Sequence, residues 1–106
     1  MGIFDLFRRP DIDAGVREYE HTVGGVLLDV RTEEEYAEGH IPGSRNVPLA
    51  ELCSDGIGAE NRDTPVYVYC LSGGRSRQAA AFLRREGYTN VKDLGGIAAY
   101  SGKMER

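Results

Sequence analysis

Tryptophan is absent from this chain, cysteine occurs only twice, and no apolar run approaches the about 20 residues needed to span a bilayer. Two cysteines are too few for a disulfide framework, and neither lies in a Cys-x-x-Cys or Cys/His pattern spaced for zinc. This argues against a disulfide-stapled scaffold and a metal-built fold, and favours a reducing, cytoplasmic setting. An excess of positive charge is missing too: 13 basic and 17 acidic side chains leave a net charge of −4, which gives no electrostatic footprint for nucleic acid. In Met1 to Pro10 the basic residues follow a very short apolar run broken by Asp5, which predicts neither a signal peptide nor a membrane span. Leu6 stands where a myristoylation pattern wants serine or threonine. Ile3, Phe4 and Phe7 fall at helical spacing, so residues 1–10 are expected to form a short amphipathic extension ahead of a single domain over 11–106.

What is present is ordinary globular material, 41% hydrophobic and 28% charged, enough for one core. Asp13 is placed to cap a helix running to about Tyr19, with Val16 and Tyr19 turned inward, and Gly24-Gly25 breaks the chain. The nearly continuous apolar run Val26 to Val30 predicts a strand buried on both faces, as in parallel sheets. Thr32 and Glu35 make a capping box for a short helix closed by Gly39, its acidic residues forming a solvated first turn. A short strand over Ser44 to Val47 and a helix from Leu49 to about Cys53 follow, with Cys53 expected in the core. Residues 54–62 look like loop. Pro65 to Tyr69 is the clearest strand. Ala79, Ala80, Phe82 and Leu83 mark the buried face of a helix that Gly87 stops, and Val91 to Leu94 a last strand before a short helical piece ending near Tyr100. Strands and helices alternating through short loops predict an α/β fold: a central parallel sheet of four to five strands with helices on both faces. Ligands in such sheets sit at the carboxyl ends of the strands.

Cys70 falls at such an end. Val66 to Tyr69 delivers it to Leu71-Ser72-Gly73-Gly74-Arg75-Ser76, and an alanine-rich helix begins where that loop ends. Inward-pointing N–H groups of a tight loop and the free N–H groups of a helix start favour negative charge, which turns a thiol there into a thiolate nucleophile. The plainer alternative is a buried cysteine closing a core strand. Two glycines, two hydroxyls and an arginine within six residues favour the functional one.

Three blocks of this sequence resemble the rhodanese-like domains. Asp29-Val30-Arg31 through Glu35-Tyr36, with Gly39-His40-Ile41-Pro42-Gly43 and Asn46-Val47-Pro48, looks like the family's first signature; Cys70 to Ser76 looks like its active-site loop; and Val91 through Tyr100 resembles its closing signature, with tyrosine where the family often has tryptophan. The resemblance implies a single-domain sulfurtransferase of the rhodanese fold. Cys70 would carry a persulfide between a small sulfur donor, thiosulfate or a persulfide, and a thiol or cyanide acceptor, or exchange sulfur with a persulfide-carrying protein. Leu71, Ser72, Gly73, Gly74, Arg75 and Ser76 would bind the anions, and no metal or organic cofactor is implied. It also suggests that Arg75 pairs with Asp29, with Asp29 and Arg31 bracing the loop, and that His40 is structural.

Two other classes compete. Cysteine phosphatases use a similar loop at a helix start, but theirs is one residue longer than the four from Leu71 to Gly74. A non-enzymatic binding or redox-sensing module is the second, though the cysteine and its loop are intact. Leu71, where many such loops are polar or basic, leads us to expect poor use of doubly charged thiosulfate and better use of a less charged persulfide.

Overall fold

The computed structural model describes residues 11–59 and 61–106. The amphipathic turn expected over 1–10 lies outside them. The chain runs α1 (Ile12–Glu20), β1 (Val26–Asp29), α2 (Glu33–Glu38), β2 (Arg45–Asn46), α3 (Leu49–Asp55), β3 (Val66–Cys70), α4 (Gly74–Arg85) and β4 (Val91–Gly96), then a single 3-10 turn (Ile97–Ala99). The four strands form one parallel sheet in the order β2-β1-β3-β4.

The unbroken apolar runs of β1 and β3 follow from this order. Alternate side chains point to opposite faces, and both faces are covered. Leu28, Val66, Val68 and Cys70 pack with Leu52 of α3 and Ala79, Ala80 and Leu83 of α4. Leu27, Tyr67 and Tyr69 pack on the other face with Ile12 and Val16 of α1, Leu94 and Ile97. Phe82 packs against the first cluster only partly buried, and Tyr19 against the second in the same way.

Several boundaries differ from the sequence expectation, each for a local reason. Asp11, not Asp13, caps α1 by accepting the Ala14 N–H; Asp13 instead accepts the Ser101 N–H and hydroxyl and ties α1 to the chain after the 3-10 turn. β2 is trimmed to two residues, since only Arg45 and Asn46 face β1. β4 runs past Leu94 because a bulge there lets Gly95 and Gly96 pair with Tyr69 and Cys70. Cys53 is exposed, not in the core. Leu52 is the buried residue of α3, and one position along a helix turns the next side chain about 100° away, toward solvent. The capping box of α2 is present in full, with Gly39 as its C-cap.

Candidate functional site

β3 ends on Cys70 at the carboxyl edge of the sheet, flanked by β1 and β4. The chain then turns through Leu71, Ser72 and Gly73 into the first turn of α4. Gly73 has φ 111°, a backbone conformation that residues with a Cβ rarely adopt, and its N–H points back at Cys70 Sγ, 3.0 Å away. Ser76 Oγ, on the first turn of α4, lies 3.5 Å from the same sulfur. Cys70 and Ser76 are both buried.

Burial works against a charged sulfur here. Hydrogen bonds from the Ser76 hydroxyl and from the backbone N–H groups of Ser76, Gly73 and Ser72 outweigh it, and the thiol is held below its ordinary range. The loop is pinned from below by β4 and the turn after it. Ala98 N–H donates to the Leu71 carbonyl at 3.1 Å. A Cβ on Gly96 would stand 2.3 Å from that carbonyl oxygen, so only glycine lets the two backbones approach so closely. Gly96, at the end of β4, is therefore the floor of the loop.

Arg75 does not pair with Asp29. Its guanidinium makes two bonds to Glu35 of α2, at 2.7 and 3.0 Å, and Asp29 is taken by its near neighbour Arg31. Arg31 reaches both Asp29 oxygens through Nε at 3.0 Å and Oδ2 through Nη2 at 2.7 Å. A fork only two residues from a carboxylate at a strand end satisfies it locally, without ordering a longer span of chain. Arg31 Nη2 also donates to the Gly39 carbonyl at the end of α2. Glu35 was legible as a capping residue but not as Arg75's partner. Its Oε1 accepts the Thr32 N–H and one arm of the Arg75 fork, Oε2 accepts the other arm, and the Arg75 pairing holds its carboxyl down at about 2. His40 is structural, its ring stacked on Tyr36 with Nδ1 2.9 Å from the Tyr36 carbonyl oxygen.

Among the described residues no three His, Cys, Asp or Glu side chains converge as a metal would require, and no helix is long and apolar enough to cross a membrane. The arrangement around Cys70 suits a thiolate, or a sulfur anion bonded to it, held by neutral N–H and O–H donors.

The model of the rhodanese-like domain matches residues 14–103. The chain belongs to the rhodanese-like family. YqhL of Bacillus subtilis is 41% identical over 80 residues, covering 74% of this chain and 63% of that protein. The thiosulfate sulfurtransferase GlpE of Pseudomonas fluorescens is 40% identical over 73 residues, 69% of this chain and 66% of that enzyme. The matched stretch thus spans just under two thirds of each of these relatives. Among solved structures, a rhodanese with anions from E. coli superposes with a TM-score of 0.70 at 31% identity, over 77% of this chain and 98% of that one. The α/β fold expected from the rhodanese-like signatures is the fold observed, with four strands in the sheet.

Proposed function

We propose that this rhodanese-like domain is a sulfurtransferase in which Cys70 carries sulfane sulfur as a persulfide. The observation that carries the reading is the Gly73 N–H donating to the sulfur at 3.0 Å, with the Ser76 hydroxyl 3.5 Å from it and able to donate once the thiol has lost its proton, around a buried cysteine at a strand end. The Cys70 thiolate attacks the outer sulfur of a donor; a new S–S bond forms on Cys70, the donor's bond to that sulfur breaks, and the electron pair leaves on sulfite or on a thiolate. In the second half a thiol or cyanide takes the outer sulfur and the Cys70 thiolate is regenerated. The charge sits within reach of the same donors in every state, which lowers each barrier without rearrangement.

Leu71 to Ser76 supply the cradle. Asp29 and Arg31 support it at a distance: Arg31 holds the end of α2 through the Gly39 carbonyl, and α2 presents Glu35 to Arg75. No cofactor takes part in this scheme. Two unpaired cysteines suit a reducing cytoplasm. Intact-mass measurement after incubation with thiosulfate or polysulfide should show one added sulfur atom that cyanide or a thiol removes. Cys70→Ser should abolish the gain and Cys53→Ser retain it. Sulfur mapped to Cys53, or none on the wild type, refutes the assignment and favours a binding module.

A further inference from the structure

Beyond the 3-10 turn the chain runs from α1 to the end of α2 and is fastened to both. Asp13 on α1 accepts the Ser101 N–H at 2.9 Å and the Ser101 hydroxyl at 2.6 Å. Further along, Glu105 and His40 exchange both backbone hydrogen bonds, each at 2.8 Å, in an isolated antiparallel bridge. The Met104 methyl comes so near Gly39 that a Cβ there would stand 3.3 Å from it. Residues 101–106 are themselves exposed, so these few bonds decide whether the segment lies down on the molecule.

The side chains at the second fastening are set for a proton. His40 is buried, and its ring is stacked on Tyr36 with centroids 3.7 Å apart, which fixes how it faces. Its Nδ1 lies 2.9 Å from the Tyr36 carbonyl oxygen. A carbonyl oxygen only accepts, so Nδ1 carries the hydrogen and the neutral ring keeps its lone pair on Nε2. Nε2 faces Glu105 Oε1 at 3.6 Å. A lone pair and a carboxylate oxygen repel, whereas a proton on Nε2 turns the same approach into a charge-assisted bond. The neighbouring groups do not take Glu105's place. Arg31 donates to the Gly39 carbonyl and has its charge met by Asp29, the Tyr69 hydroxyl accepts the Ile41 N–H, and the Tyr36 hydroxyl donates to the Ser44 carbonyl. Glu38, Lys103 and Arg106 are exposed to water.

We propose that residues 101–106 form a proton-sensitive strap, latched onto the end of α2 when His40 is charged and loosened when it is neutral. One proton passes from solvent to Nε2 and back, and no other covalent bond changes. The hold is complete below the range in which imidazoles titrate, centred on about 6.5 for a free side chain, and is lost as pH rises through it. The device stands apart from the sulfur transfer proposed above.

The Met104 methyl reports on it directly. Met1 is the only other methionine, so methyl-¹³C-methionine labelling of the full chain gives two NMR signals, which Met104→Leu assigns. Between pH 5.5 and pH 8.0 the Met104 signal should move toward the position of free methionine by at least half of its displacement at pH 5.5. Glu105→Gln, an exposed substitution that keeps the backbone bridge and removes the charge, should cut that movement at least fivefold. In the wild type 1 M NaCl should shrink it too, because Glu105 is half-exposed and the pair is screened. A Met104 signal that holds its place across this range, that moves the other way, or that moves equally in Glu105→Gln overturns the strap.

Discussion

Two cysteines in one small domain meet opposite fates because of what surrounds each sulfur. Cys53 sits exposed on α3; Cys70 is buried, and burial alone would keep it neutral. Its thiolate depends on the donors from the loop. Under the proposed sulfur transfer Ser76 should therefore matter more than Arg75, whose charge is spent largely on Glu35 although it also feels the Cys70 charge. The alkylation rate of Cys70 should rise with pH to a plateau, with a midpoint below the ordinary thiol value of about 8.5. Ser76→Ala should move that midpoint upward, because it removes a donor to the charged form. Arg75→Ala should move it in the same direction by less. Iodoacetamide rates across pH, read on Cys70 by mass, check both, and a larger effect of Arg75→Ala would mean that charge rather than the hydroxyl stabilises the sulfur.

At the scale of elements, the loop is held by β4 from below and by α2 from the side. Gly96→Ala would drive a Cβ into the Leu71 carbonyl, and backbone on both sides leaves no flexible group to yield. It should cost about 1–3 kcal/mol in stability and slow sulfur loading on Cys70 more than tenfold, measured by urea unfolding and intact mass. A variant that loads at the wild-type rate would show that this close approach does not set the loop. The Glu35 to Arg75 fork has a pH signature. The folded carboxyl titrates at about 2 against 4.5 without partners, so its contribution is present in full above 4.5 and is lost as pH falls toward 2. Glu35→Gln should remove about 1 kcal/mol at pH 7, where a partly exposed pair is worth no more than that. Because the wild type loses its advantage in acid, the two proteins should converge in urea midpoint between pH 4.5 and 2. A gap that persists at pH 2 would assign the effect to the capping box instead.

For the molecule as a whole, the buried Asp29–Arg31 pair joins β1 to the end of α2 and is solvent-shielded on both sides. Asp29→Ala leaves a buried guanidinium without its counter-charge and should cost about 3–5 kcal/mol, whereas Asp29→Leu with Arg31→Met should cost clearly less. Denaturant midpoints of the three proteins test this; equal losses would show that the pair itself, and not the orphaned charge, carries the stability. Much of this architecture is legible along the chain. The apolar runs of β1 and β3, the capping box at Thr32, the glycine after α4 and the cysteine at a strand end all depend on residues within a few positions of one another, where sterics and local hydrogen bonding decide. Long-range choices are of another kind. That Arg75 turns to Glu35 and not to Asp29, that Gly96 underlies Leu71 and that Asp13 reaches Ser101 each depend on which groups the packed sheet brings together. Residue type and spacing set the menu of pairings; only the sheet order β2-β1-β3-β4, by placing α2 and β4 on opposite sides of the β3 loop, selects among them.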